Sequence, residues 1–512
     1  MNPGLSLEPR PMVMRFSRRL PLFVSLAALL TCAACGRDDD GVTQVGVIGP
    51  DPKLVETVTS PLTAGDALVR SNLAQGLVRF DERGQIVPGL AERWNVSDDG
   101  LSYIFRLQNS KWPDDRKIKA NEIARILSRQ LRQVSTNPLK DTMGAVTEVV
   151  AMTDRVIEMR LAAPRPNLLQ LLAQPEFGLV RAGVGTGPFI PATAEQVASA
   201  RPEEIEGGMF ITHRIRLADA KDPIERAHII GGDAKALVAG FAAGTIDLVL
   251  GGTVGDLPIA MRAKVPRGAL RFDPVAGLFG LAPTRRSEVL QDEDVRQLLS
   301  RAIDRTALVA GLNVDGLAPR ATLLQPGLLG IGTPQQPAWL AVPMEDRRVG
   351  LVAEANRQFG DTDRPTLRLF LPEGDGGEYL LARLRFDWAP LGIKVERAPS
   401  AASADLVWVD EVAPSSSPAW FLRRFRCDVA PICVEEAEAV LAGARTAPSA
   451  VLRNGLLLEA ARLMDKAQLF IPIAAPVRWN LVSGRVPGFA ENPFARHTLV
   501  GLANTKINAG TP

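Results

Sequence analysis

Residues that could carry out chemistry are few in this chain, and they are widely spaced. The three histidines, His213, His228 and His497, lie far apart. None sits at the i, i+4 spacing that presents two imidazoles to one metal, so a zinc or iron centre is not expected. Each reads as a surface or packed histidine. Serines are common, yet no Gly-x-Ser-x-Gly elbow occurs and no histidine has an evident triad setting. The spacing of Gly185-Thr186-Gly187 fits no nucleotide-binding loop and reads as a structural turn. Cys427 and Cys433 close a short segment. In an oxidising compartment they can pair as a disulfide, or they can stand as two free thiols. We read them as a bridge, a local staple with no catalytic duty. Neither a cofactor nor a catalytic residue is expected.

The remaining cysteines, Cys32 and Cys35, belong to a different pattern. Arg15, Arg18 and Arg19 precede an apolar run from Leu20 to Leu30, followed by Thr31-Cys32-Ala33-Ala34-Cys35-Gly36. A basic region, a short apolar segment and small residues before a cysteine make a secretory signal that is cut and lipidated. The apolar stretch to Ala34 is roughly 15 residues, short of the roughly 20 that a spanning helix needs. The pattern resembles that of bacterial lipoproteins, with Cys35 as the diacylated residue and Cys32 standing where Leu is usual. It implies a signal peptide over 1–34, a tether over 35–41, and a periplasmic or cell-envelope protein held to a membrane by its acyl chains.

A chain of 512 residues exceeds what one small core needs and suits two or three lobes. Hydrophobic residues make up 46% and charged residues 23%, an ordinary globular balance. The net charge of +2 provides no basic field, so nucleic acid is not an expected partner.

Strands alternate with helices along the chain, which argues for α/β lobes with largely covered sheets. Thr43–Ile48 reads as the first strand, ending at Gly49-Pro50-Asp51-Pro52, and 62–77 reads as a helix ending near Gly76. A strand within 75–81 and a turn at Glu82-Arg83-Gly84 lead to a short helix expected under Trp94. The turn Asp98-Asp99-Gly100 and a strand with Tyr103, Phe105 and Leu107 on one face follow. Trp94, Trp112 and Tyr103 read as packing residues. Further on, 289–310 and 379–391 read as helical, with strands at 367–371 and 393–396 and a helix at 451–469 before the C-terminal return.

The order Gly76-Leu77-Val78-x-Phe80-Asp81, Gly84-x-Ile86-x-Pro88-Gly89-Leu90-Ala91-Glu92-x-Trp94 and Val96-Ser97-Asp98-Asp99-Gly100-x-x-Tyr103-x-Phe105-x-Leu107 resembles the family 5 extracellular solute-binding proteins. These are receptors of oligopeptide, dipeptide and nickel ABC importers. The likeness continues through Lys111-Trp112-Pro113-Asp114-Asp115, with Arg116 read at the place of a family glycine. It extends through Gly185-Thr186-Gly187-Pro188, Ala239–Leu248, Asp292–Leu308 and Leu391–Val395. The resemblance implies a two-lobed periplasmic-binding-protein-like α/β fold of class II, dipeptide/oligopeptide type. Lobe I would span 42–274, with an extra subdomain inserted at about 60–184. Lobe II would span 275–473, and 474–512 would return to lobe I. The expected crossings lie near 270–282 and 470–481.

Such a protein would act as a monomer, grip a peptide or peptide-like solute between its lobes and deliver it to an ABC permease. Peptide binders of this family place a carboxylate against the ligand's α-ammonium just after a strand. Here that stretch is Asp405–Pro418, with Trp408 retained and Ser417-Pro418 where Asp-Pro is expected. Asp410 and Glu411 are the candidate substitutes, or else solvated loop acids. By position in the family pattern, Asp51, Lys53, Gln75, Gly76, Phe279 and Trp420 are further ligand-binding candidates, with core packing as the competing role for Trp408 and Trp420. Two other readings stay open at this point: a homologue that has lost transport and acts as a sensor or envelope partner, and an extracytoplasmic hydrolase.

Overall fold

The computed structural model describes residues 41–132, 134–198, 207–214, 224–360 and 364–503. The signal segment and Cys35 lie outside them. Two large sheets organise the described chain. The first has seven strands in the order Phe189–Pro191, Met209–His213, Arg226–Gly232, Val42–Ile48, Leu248–Gly252, Trp479–Val482 and Leu270–Phe272. Val42–Ile48 has Val, Ile or Thr at five of its seven positions, shows almost no exposure, and runs parallel to both neighbours, as a doubly covered central strand should. The second sheet has five strands in the order Lys394–Arg397, Thr366–Phe370, Leu406–Val412, Gly277–Pro283 and Ile471–Pro472. The chain therefore leaves the first sheet after Phe272 and comes back to it at Trp479, and each sheet forms the centre of one lobe.

A separate four-stranded sheet, Ala91–Val96, Ser102–Leu107, Val156–Leu161 and Val146–Thr153, forms the inserted subdomain. Tyr103, Phe105 and Leu107 share its inner face, and Trp112 joins the same core, with its indole N–H donating to Glu122 Oε2 at 2.9 Å. Trp94 lies on a strand rather than over a helix. The Ser97–Gly100 turn, with Gly100 at φ 69°, returns the chain directly, so Trp94 pairs with Phe105 across the hairpin. The left-handed residue in the following loop is Asp115 (φ 63°), which places the glycine equivalent there and not at Arg116. The helical stretch expected over 289–310 breaks into Glu293–Ala302 and Arg305–Leu312. Asp304 restarts it by accepting the Ala307 N–H at 3.0 Å.

Two junctions fix the subdomain to the first lobe. Arg70, fully buried on the helix Ala64–Leu73, donates to the carbonyls of Pro175 (2.9 Å), Gly178 (2.8 Å) and Val55. The Gly185-Thr186-Gly187 turn lies against the end of that helix. A Cβ at Gly187 would stand 2.1 Å from the Asn72 carbonyl oxygen, so only glycine permits the approach.

Candidate functional site

The two stretches joining the lobes lie side by side, with the Asp273 N–H donating to the Arg478 carbonyl at 2.9 Å. A cavity of about 720 Å³ opens beside them. Ile48 and Leu250–Thr253 of the first sheet wall one side, and Asp410–Pro414 of the second lobe wall the other. Gln174 and Glu176 of the subdomain, Trp420 and Arg423, and the returning Phe494–His497 complete it. The volume suits a small organic solute or short peptide. A second cavity of about 560 Å³ is walled by residues of the second lobe alone, Trp339 and Asp465 among them.

Pairing along its whole length with Gly277–Pro283 holds the strand Leu406–Val412 in place, with Phe279 opposite Asp410. Its apolar first half is anchored in the sheet, which leaves Asp410 and Glu411 at the crossing. Asp410 meets Arg478, whose Nη1 donates to Oδ1 at 2.7 Å and whose Nη2 donates to the Asp410 carbonyl at 3.1 Å. Burial pushes the Asp410 carboxyl up from its ordinary pKa, and Arg478 opposes that push.

The other acids of the wall are also matched. Glu411 accepts from Arg424 at 2.6 Å and Glu176 from Arg496 at 3.0 Å. Asp273 Oδ2 lies 3.0 Å from His497 Nε2 and accepts from Asn480 Nδ2 at 2.9 Å, while its Oδ1 accepts the Asn492 N–H at 2.8 Å. Among the described wall residues, Arg423 is the cation without a carboxylate partner. It donates to the Thr142 hydroxyl, and burial holds its pKa down. This is recognition chemistry: fixed dipoles and paired charges around a gap, with His497 occupied by Asp273 and stacked on Phe489 at 4.8 Å. Among the described residues, no group of three or more His, Cys, Asp or Glu is placed to hold a metal ion.

The sequence candidates fall in three places. Asp410, Glu411 and Trp420 line the cavity, the last packed edge-on against Phe421 at 5.1 Å. Asp51 and Lys53 lie on the exposed turn after the first strand. There Asp51 accepts the Gly231 N–H at 2.9 Å, and the Lys53 backbone N–H donates to Asp66 at 2.8 Å. Gln75 and Gly76 belong to the junction with the Gly185–Gly187 turn, Gln75 donating to the Thr186 carbonyl at 3.0 Å. Phe279 is core and meets Trp408 edge-on at 4.8 Å. The buried Trp408 indole N–H has no hydrogen-bond partner among the described residues. Cys427 and Cys433 are joined, with Cα atoms 5.1 Å apart, on a loop after the helix Pro418–Arg423.

Sequence reasoning did not single out Glu176, Asp273, Arg423, Arg478 or Arg496, and it read His497 as a surface or packed histidine. For Arg478 a signal existed, since it is the charged residue in the apolar stretch expected to cross between lobes. Glu176 and Arg496 are separated by most of the chain, and no local pattern links them.

The family model for bacterial extracellular solute-binding proteins, family 5 Middle, matches residues 85–420. The probable di/tripeptide-binding protein 5 of Pseudomonas aeruginosa is 24% identical over 94% of this chain and 97% of its own length. Among solved structures, the murein tripeptide binding protein MppA of Escherichia coli superposes with a TM-score of 0.76 at 17% identity, covering 91% of this chain and 99% of that one. Haemophilus influenzae OppA, solved with the peptide RPPGFSPFR, gives 0.75 at 17% identity with the same coverage. These structures share the two-lobed fold, and the family match includes strands of both large sheets and the four-stranded sheet of the inserted subdomain. The chain belongs to the bacterial extracellular solute-binding proteins, family 5.

Proposed function

We propose that this protein is the solute receptor of an ABC importer, capturing a peptide or peptide-like molecule between its lobes and handing it unaltered to a membrane permease. The observation that carries the reading is the 720 Å³ cavity at the paired crossings, walled by both lobes and lined by matched charges. Relatives named for di/tripeptide and murein tripeptide binding support the peptide class. The receptor works as a monomer in the periplasm or cell envelope, tethered through Cys35. The bridge at Cys427 and Cys433 suits that compartment. Catalysis has no role in this reading, because closure over a solute needs only groups that replace its water.

Trp420 and Trp479 both line the cavity, so closure should change tryptophan emission. A panel of di- to pentapeptides is expected to include members that raise the melting temperature and shift that emission together. If no member of the panel moves either signal, the peptide class is wrong. The pairing of Asp410 with Arg478 and of Glu411 with Arg424 supports a second reading, a homologue that has lost transport and acts as a sensor or envelope interaction partner. Activity of that kind without a cognate permease would select it.

A further inference from the structure

Behind Trp420 and Arg423, which form part of the main cavity wall, lies a second chamber of about 240 Å³ that shares both residues. It sits where the inserted subdomain meets the second lobe. Asn167 Nδ2 donates to Ser415 Oγ at 3.0 Å there, and Gln174 Nε2 donates to the Pro414 carbonyl at 2.7 Å. Its lining carries five arginines, Arg165, Arg423, Arg426, Arg445 and Arg453, against one acid, Asp141. Arg426 and Arg445 share Glu438, each at 3.5 Å. Arg165 donates only to backbone carbonyls, those of Pro164 at 2.9 Å and Arg445 at 3.3 Å.

Arg453 is the anomaly. It is 8% exposed, and its guanidinium has no hydrogen bond or ion pair with any described residue. Burial and the neighbouring Arg165 hold its pKa down to about 10, so it is still a cation at neutral pH. A guanidinium without a carboxylate partner is repelled by the second arginine beside it, Arg165 of the subdomain, unless a negative group lies between them. Guanidinium forks converging on one chamber are suited to carboxylate or phosphate oxygens.

We infer that this chamber is an anion site, in which a carboxylate or phosphate group bridges Arg453 and Arg423 of the second lobe to Arg165 of the subdomain and so favours closure over an acidic solute. As a statement about solute class, this rests on the cleft reading above. Of the four carboxylates of the main cavity, three are paired with arginines and Asp273 with His497, which leaves Arg423 as the wall arginine without an ion pair. The anion is either a group of the solute reaching past Trp420 or a free anion bound beside it.

The test is calorimetric titration of the full protein with sodium phosphate, and separately with tripeptides matched in pairs that differ by Glu against Gln at one position. Each titration is repeated with Arg453→Met, which keeps the side chain's length and apolar packing, and with Arg445→Gln at the half-exposed rim. A solute-borne anion predicts that the Glu member of a pair binds at least tenfold tighter than its Gln partner. That ratio should collapse toward one in Arg453→Met and shrink partly in Arg445→Gln. A free anion predicts phosphate binding to the native protein that Arg453→Met abolishes. Peptides that bind equally well with Glu or Gln, with no phosphate binding, overturn the anion site and leave the cleft reading intact. Phosphate binding that depends on Arg453, without any peptide binding, keeps the site and removes the peptide reading. Binding of neither removes both.

Discussion

Replacing Arg478 with Met strips Asp410 of its partner at the point where the two crossing stretches meet. The two side chains are 16% and 15% exposed, so solvent can repair little of the loss. Breaking a buried pair by deleting one partner costs about 3–5 kcal/mol. The stranded carboxylate has one escape, which is to take up a proton. At pH 7 that costs about 4 kcal/mol relative to an ordinary aspartate, at about 1.4 kcal/mol per pH unit. The residual exposure lowers the expected penalty to about 3 kcal/mol at pH 7. At pH 5 protonation is easier, and the penalty should fall to about 1.5 kcal/mol. Adding Asp410→Asn removes the stranded charge, so the double variant should recover most of the loss. Urea unfolding followed by tryptophan emission at both pH values measures each quantity. A single-variant cost below 1 kcal/mol that does not change with pH would refute the reasoning, as would a double variant no better than the single.

Asp465 provides a pH signature of its own. Burial raises its pKa from 3.8 to about 7, although the Leu323 N–H it accepts at 2.9 Å acts the other way. The native state therefore keeps a proton that the unfolded chain releases. The stability gained is complete below pH 3.8 and is lost as pH rises to about 7. It amounts to at most about 4 kcal/mol, and Asp465→Asn should flatten that part of the stability–pH profile. Gly187→Ala forces a Cβ to within 2.1 Å of the Asn72 carbonyl and should cost about 3 kcal/mol or more in denaturant midpoint terms. Gly350→Ala, in open space on the helix Met344–Phe359, should instead gain up to about 1 kcal/mol. Ellman titration of the denatured protein without residues 1–35 should find the Cys427 and Cys433 thiols only after reduction; two free thiols beforehand would exclude the bridge.

The fold was legible because its signals are local. Alternating apolar residues at Tyr103, Phe105 and Leu107, the Asp98–Gly100 turn and the first strand, rich in β-branched residues, each fix an element without help from distant sequence. Trp94 misled because a tryptophan preceded by Leu90-Ala91-Glu92-Arg93 suits a helix, and only pairing across the hairpin makes the segment a strand. At the site, Asp410, Glu411 and Trp420 could be found because a single strand and the helix after it deliver them. Glu176 with Arg496 and Arg165 with Arg453 could not be found that way, since those contacts exist only once the subdomain, the second lobe and the returning tail have packed. A charge in an apolar crossing, as at Arg478, was the one long-range partner that composition alone could have flagged.

The central claim is that the lobes hold a small solute without changing it. Native mass spectrometry of the freshly purified protein tests it most directly. The account predicts an added mass of a single small molecule that leaves on denaturation and is recovered chemically intact. An adduct that stays attached after denaturation, or a solute released in altered form, would contradict it.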